Sequence, residues 1–335
     1  MYGPRVSSRR AIPGGAPAPR LVVVENTRLA AGPLSELWSR AEQALSNGCA
    51  PTSMTVHTEP AGNAERIAEV VARERPDVVV AAGGDGTVRD AIQGIRDAGE
   101  PSPPLAIVPL GTANNVARSL GLESVRRGGR SALDRAVTAA LAGADRRIDL
   151  GRVNGRWFVG SFALGMDADI LRLRNRLVNA MRWASLLGGY PPYLASCAAN
   201  LFRAHGGAMS LCCDGDEEHL VTYDLVVTNV PLYAGEFRFG PSGAFPDDGR
   251  LDLQRFANAT DYVRRFTGAW MQQLRHDRGP SLAPAGSRTF TRLTVETTSP
   301  VAAQIDGEEI APERSWVVSA APGAVTVRLP RASSG

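Results

Sequence analysis

The sequence predicts an α/β unit built on a parallel sheet, followed by a strand-rich second unit. Three observations carry this. Through about residue 146, short apolar runs alternate with amphipathic helical patterns, which gives a parallel sheet with helices on both faces. Two of these runs end directly in glycine turns. From Arg147 onward, short strands dominate. The length of 335 residues favours two domains, and 44% hydrophobic residues suffice for two cores.

The elements follow in order. Residues 1–20 are rich in Pro, Gly, Ala and Arg and read as a disordered tail. They lack the apolar core of a signal peptide. The first domain is placed at 21–146. Leu21-Val22-Val23-Val24 is its first buried strand, with a turn at Glu25-Asn26-Thr27. Helical patterns follow at about 34–46 and 63–74. The run Val78-Val79-Val80-Ala81-Ala82 leads into Gly83-Gly84-Asp85-Gly86-Thr87, with a helix at about 87–98. The run Leu105-Ala106-Ile107-Val108-Pro109-Leu110 leads into Gly111-Thr112-Ala113-Asn114-Asn115, with a helix at about 114–120. A further helix is placed at about 131–142. The second domain is placed at 147–330. It opens with two strands around the turn Asn154-Gly155. A helical stretch spans about 170–204. Strands are placed at about 209–213, 219–229, 251–256, 289–296, 300–305 and 324–329.

Composition narrows the chemistry. All 37 basic residues are Arg, and there is no Lys. A biased composition accounts for this, yet it has consequences. A Walker A loop, a protein-kinase strand lysine and a Schiff base all need an amine. Phosphate must therefore be neutralised by backbone amides, Arg or metal ions. A net charge of +3 gives no argument for nucleic acid as a partner. Four cysteines and four scattered histidines show neither metal spacing nor a disulfide framework, which fits a reducing cytoplasm. The adjacent Cys212 and Cys213 should point to opposite faces of a strand.

Trp183 to Phe202 is uncharged over a membrane-spanning length, but Gly188-Gly189 and Pro191-Pro192 break it. Just before it, Arg172, Arg174, Arg176 and Arg182 interleave with Leu171, Leu173, Leu177, Val178 and Met181. Such a helix either shows a solvated Arg face or rests on an anionic bilayer.

Several residues could carry chemistry. Glycines at a strand end let the backbone approach a ligand, and their amides can face phosphate oxygens. Asp85 adds a carboxylate there. The segment 84–89 nearly fits a dinucleotide fingerprint, but Arg89 replaces the third glycine. A tight strand-to-helix turn capped by Thr87 is the simpler alternative. Phe245-Pro246-Asp247-Asp248-Gly249-Arg250-Leu251-Asp252 reads first as an Asp-Gly hairpin turn, though its alternating oxygens also suit Mg²⁺. In Gln304-Ile305-Asp306-Gly307-Glu308-Glu309, either Asp306-Gly307 turns, or the segment stays extended and aims Asp306 and Glu308 at one face. One carboxylate would then hold metal or water while the other accepts a proton.

Taken in order, the motifs resemble the diacylglycerol kinase catalytic family. They are the turn at Asn26, the stretch from His57-Thr58 to Gly62-Asn63-Ala64, GGDGT at 83–87, PLGTAN at 109–114, Gly165-Met166-Asp167-Ala168, DGRLD at 248–252, and Asp306-Gly307-Glu308. The resemblance is to its bacterial soluble lipid-kinase branch, which includes lipid kinases similar to the sphingosine and ceramide kinases, and it covers about 21–330. The resemblance implies a first domain like the nucleotide domain of phosphofructokinase and NAD kinase, a β-sandwich second domain, and ATP in the interdomain cleft. It implies nucleotide contacts at Asn26, Thr58, Gly83, Gly84, Asp85, Gly86, Thr87, Val88, Arg89 and Thr112. It implies Glu308 as proton acceptor, Asp306 as its neighbouring acid and Asp85 as a catalytic carboxylate. It implies a structural Mg²⁺ on the carbonyls of Phe245 and Arg250 and the carboxylate of Asp248. Many relatives carry Asp where this chain has Asn115, and an amide is a poorer ligand for a hard cation.

The resulting expectation is an ATP- and Mg²⁺-dependent lipid kinase, cytoplasmic and peripheral at the inner membrane surface. Its substrate would be a diacylglycerol-like or sphingoid hydroxyl, and a homodimer is allowed. The competing readings are a soluble-substrate kinase of the NAD kinase type and a nucleotide-binding regulatory protein without turnover.

Overall fold

The computed structural model describes residues 18–26, 34–49, 54–59, 62–180, 190–201, 207–234, 237–238, 246–274 and 287–331. Most of the tail expected at 1–20 lies outside these residues, as does 181–189, part of the uncharged stretch that begins at Trp183. No helix among the described residues is long and apolar enough to cross a membrane.

The chain divides into two compact units, residues 1–148 with 323–335, and residues 149–322. The first unit holds β1 (Leu21–Asn26), α1 (Ser35–Gly48), β2 (Met54–Thr58), α2 (Asn63–Glu74), β3 (Val78–Gly83), α3 (Asp85–Asp97), β4 (Leu105–Pro109), α4 (Asn115–Ser119) and α5 (Val125–Ala142). Its strands are parallel in the order β2-β1-β3-β4. β1, β3 and β4 are apolar on both faces because helices cover both. Leu21, Val23, Val78, Val80 and Val108 pack with Trp38, Leu45, Leu133 and Val137 of α1 and α5. The alternate residues Val22, Val24, Val79 and Ala81 are equally buried on the other face. Each fully buried valine is worth about 1.5–3 kcal/mol over an exposed one.

The second unit begins within β5 (Ala144–Val153). It continues through β6 (Arg156–Phe158), β7 (Ser161–Gly165), α6 (Met166–Ala180), α7 (Tyr190–Leu201), β8 (Gly207–Cys213), β9 (Asp216–Thr222) and β10 (Asp224–Thr228). Then come β11 (Leu232–Tyr233), β12 (Phe237–Arg238), β13 (Leu251–Phe256), α8 (Ala259–Leu274), β14 (Arg288–Phe290), β15 (Arg292–Ile305) and β16 (Glu308–Leu329). Strands β14-β13-β10-β7-β15 pair antiparallel in that order. The first half of β15 pairs instead with β8, which pairs with β9. Register shifts between Glu296 and Ala303 mark where β15 bends from one sheet into the other. Leu164, Leu225, Leu253 and Phe290 from one sheet share a core with Met209, Leu211 and Leu293 from the other. That is a β-sandwich. The outer face of the β7–β10–β13 sheet carries a further core, where Met166, Ile170, Tyr262 and Phe266 of α6 and α8 pack on Ala163, Val226 and Phe256.

Several expectations are corrected. The strand read at 324–329 is the end of β16, which returns to the first unit and pairs Val327 with Leu105 of β4. The second domain therefore ends at 322 rather than 330. The strand read at 219–229 is two strands broken at Tyr223, and α3 starts at Asp85 rather than 87. Strand β2 and helix α8 were not read from the sequence. The Asn154-Gly155 turn forms as read, with φ of 45° and 87°. Cys213 is buried and Cys212 half-buried, as alternation requires.

Helices α2 and α3 touch at Gly94. A Cβ there would lie 2.5 Å from Ile67 Cγ2 and 2.9 Å from the Ala64 carbonyl oxygen. Ile67 can shift, but the backbone oxygen cannot. Gly94→Ala should therefore destabilise the chain by about 1–3 kcal/mol, the usual cost of overpacking, although alanine is the better helix former. Thermal unfolding checks this, and a raised midpoint would show that the helices can separate.

Candidate functional site

Four parallel strands end together, and the last residues of three of them are among those singled out for nucleotide. Asn26 ends β1 and pairs with Thr58, which ends β2. Gly83 ends β3 and pairs with Pro109, which ends β4. The carboxyl ends of such a sheet are where this architecture places its ligands. Glu25, next to Asn26, is buried and accepts a 2.7 Å bond from Trp38 Nε1. Burial pushes its carboxyl above the usual range.

The two glycine turns lie backbone against backbone. The amides of Leu110 and Gly111 donate to the Gly83 carbonyl at 2.9 and 3.1 Å. A Cβ on Gly111 would fall 2.4 Å from Gly84 Cα, so neither turn admits a side chain at the contact. Asp85 Oδ1 accepts the Val116 amide at 3.0 Å and so caps α4. Burial raises the Asp85 carboxyl, while the amides of Val116, Asn115 and Asn114 and the charge of Arg118 pull it back. Its first task is thus to bind the two turns together. Asn114, left without a role by the sequence, is buried and left-handed, with φ of 51°. Its Nδ2 donates to the Gly111 carbonyl and to Ser124 Oγ, each at 2.9 Å. A small polar residue able to adopt positive φ was the available signal.

The other proposed nucleotide residues separate into two groups. Gly84 and Asp85 are partly exposed, and Gly86 and Thr112 are open to solvent at the strand ends. Thr87 and Val88 are buried side chains of α3, so only their backbone could meet a ligand there. Arg89 donates twice to Asp90 Oδ1, at 3.0 and 2.7 Å, and Asp90 also accepts from Asn63 Nδ2 at 2.8 Å. That network joins α3 to the start of α2.

In the second unit, Asp306 and Gly307 have φ of 48° and 79° and form the two-residue turn between β15 and β16, with Ile305 facing Glu308. The extended segment that would aim Asp306 and Glu308 at one face is therefore corrected. Asp306 accepts the amides of Val159, Gly160 and Ser161 at 2.9, 2.7 and 2.8 Å. This is a positioning role for the neighbouring loop. Glu308 is exposed at the start of β16. Glu309 accepts a 2.7 Å bond from Arg172 Nε of α6, which ties up one arginine of the helix read as basic. Arg182 and Phe245 lie outside the described residues.

The 246–252 segment is a turn, as spacing suggested. Asp248 Oδ1 accepts the Arg250 amide at 2.9 Å, an Asx turn, and Gly249 has φ of 75°. Buried Asp149, not singled out by the sequence, accepts the Gly249 amide at 2.6 Å and anchors the loop. Burial and the negative charge of Asp248 push the Asp252 carboxyl up to about 6. Oxygen donors beside two mutually repelling carboxyls fit a hard cation such as Mg²⁺. Among the described residues, no group of three His, Cys, Asp or Glu is arranged to hold a metal. Any metal would thus depend on backbone carbonyls.

Residues 20–153 match the diacylglycerol kinase catalytic domain, the family that the motifs resemble. The chain is 35% identical over 102 residues to a diacylglycerol kinase of Bacillus subtilis (strain 168), covering 30% of this chain and 31% of that protein. It is 35% identical over 109 residues to a diacylglycerol kinase of Staphylococcus aureus (strain JH9), covering 32% of each. These matches span about a third of the relatives' length. A solved diacylglycerol kinase from Bacillus anthracis str. Sterne shares the fold, with a TM-score of 0.68 at 19% identity over 92% of this chain and 96% of that one.

The capping role of Asp85 predicts a graded series. Asp85→Asn keeps an oxygen for the Val116 amide, whereas Asp85→Ala does not. The alanine variant should lose about 0.5–2 kcal/mol more stability, as for a lost helix cap. Equal unfolding midpoints for the two would remove the cap from the account.

Proposed function

We propose that the chain is a lipid kinase that transfers the γ-phosphoryl group of ATP to the hydroxyl of a diacylglycerol-like or sphingoid lipid. The observation that carries this reading is the paired glycine turn at the carboxyl ends of the parallel sheet, within residues that match the diacylglycerol kinase catalytic domain. In a chain with no Lys, the backbone around Gly84–Gly86 and Thr112 is the natural cradle for phosphate. Asn26 and Thr58 flank them for the rest of the nucleotide.

Phosphoryl transfer asks mainly for positioning and for neutralised charge. Glu308 accepts the proton of the lipid hydroxyl as that oxygen attacks in line. Asp306 holds the hairpin that presents Glu308. Asp248 and the Arg250 carbonyl, with Phe245, would hold Mg²⁺, whose charge offsets that of nearby carboxylates and phosphates. The lipid enters from a membrane surface, to which the protein binds peripherally on the cytoplasmic side.

The decisive assay incubates the chain with labelled ATP and either a total lipid extract or NAD, and identifies the product by mass. Label in lipid supports the proposal. Label in NAD alone supports a soluble-substrate kinase. Nucleotide binding with no product across a broad lipid panel supports a regulatory protein, in keeping with Asn115.

Two substitutions divide chemistry from scaffolding. Glu308→Gln should lower the rate by about 10²–10⁴-fold, the span for loss of a general base, with little change in ATP affinity or unfolding midpoint. Asp306→Asn should instead lower stability by about 1–3 kcal/mol, because an amide cannot accept all three backbone donors. If Glu308→Gln loses ATP binding rather than rate, the base assignment fails.

A further inference from the structure

Away from the phosphate loop and the 305–309 hairpin, the second unit buries two carboxyls side by side. Asp167 lies in the first turn of α6, and Asp224 starts β10 and is fully buried. Asp224 Oδ1 accepts the Asp167 amide at 3.2 Å, so it caps α6 from the sheet. The two buried carboxyls therefore lie side by side, and among the described residues no arginine pairs with either. Two like charges so close and so buried do not both ionise. Asp167 takes two donors. Tyr262 OH of α8 donates to Oδ1 at 2.5 Å, and Tyr233 OH of β11 donates to Oδ2. Asp224 Oδ2 is buried from solvent and has no hydrogen-bond partner.

This pattern divides the roles. Asp167 accepts two tyrosine O–H groups and suits a single anion. Asp224 sees a backbone amide on one oxygen and Asp167 on its other side. We propose that Asp224 keeps its proton at neutral pH and donates it to Asp167, forming a one-proton lock that fixes the root of α6 to β10, β11 and α8.

The surroundings agree. Tyr223 stands next in sequence to Asp224, and burial, with the negative charge held by the aspartate pair, pushes its hydroxyl up to about 12. Its OH turns away to the Asn200 carbonyl of α7 at 3.4 Å. Neighbouring β7 presents Gly165, and β13 presents Phe256 opposite Asp224. Arg265 of α8 pairs with Asp261 and lies over the Phe256 ring. Burial raises both carboxyls, and the charge of Asp167 raises Asp224 further.

The sign of the pH dependence follows. An unfolded aspartate loses its proton near pH 4, about its free value. Above that pH the folded chain holds a proton that the unfolded chain has released. Stability from this pair is therefore complete at low pH and falls as pH rises, until the folded pair itself ionises.

The test uses the full chain and is independent of the kinase reading. Asp224→Asn mimics the protonated acid, since its amide can still donate to Asp167. The infrared difference spectrum, wild type minus Asp224→Asn at pH 7, should show a protonated-carboxyl band. The fall in stability from pH 5 to 9, followed by denaturant unfolding, should be shallower in the variant. Asp224→Leu should lose the α6 cap and amide-exchange protection at Asp167. Absence of the band, or identical pH slopes, overturns the proposal. Should Asp224→Asn not fold, Tyr233→Phe serves instead. It removes one donor to Asp167 and should shift the protonated-carboxyl band, and an unmoved band overturns the proposal equally.

Discussion

The first unit depends on one contact, the backbone-on-backbone meeting of Gly84 and Gly111. Everything around it serves to keep it closed. The Gly83 carbonyl accepts two amides from the second turn. Asp85 reaches from the first turn to cap α4, and Asn114 fastens the second turn to Ser124. The outcome is a pair of turns fastened to each other by backbone and side-chain bonds, with Gly86 and Thr112 open to solvent at the strand ends. Such a pair keeps its shape without help from a ligand, as the proposed binding of phosphate would require.

The second unit repeats the same device with other aspartates. Asp306 accepts three amides from 159–161. Asp214 accepts the Thr291 hydroxyl and the amides of Thr291 and Arg292, and against the opposing effect of burial these bonds hold its carboxyl below the usual range. Asp149 and Asp248 fix the 246–250 loop. A carboxylate that accepts backbone amides gains charge-assisted bonds and fixes a turn at once. In this chain the Asp-Gly turns are built structures, and a motif count alone would have assigned them all to chemistry.

The alternation of strands and helices in the first unit was legible because strands buried on both faces are continuous apolar runs. The glycine turns were legible for the same reason, since they end those runs. Strand β2 was not, because Met54–Thr58 mixes threonine and histidine at the sheet edge. Helix α8 escaped because its polar residues mask the few that matter, chiefly Tyr262 and Phe266. The return of β16 to the first unit was unreadable, since pairing across about 220 residues of sequence leaves no local pattern. In the candidate site, residue types drew attention to the turns. They did not tell which carboxylates face the backbone, because that is set by turn geometry. Positive φ at Asp306 and Gly307 reverses the reading of an extended strand.

That distinction orders the acids of the hairpin. Asp306 has one methylene and sits inside the turn, so its carboxylate meets the adjacent 159–161 amides and is neutralised by them. Glu308 has a longer arm, lies beyond the turn on the strand, and is exposed. Glu309 alternates to the other side and is held by Arg172. Three acids within four residues thus take three different environments from side-chain length and strand alternation alone. The turn thus spends the Asp306 carboxylate on the backbone, and the proposed role of proton acceptor falls to a residue farther along the strand, where Glu308 stands.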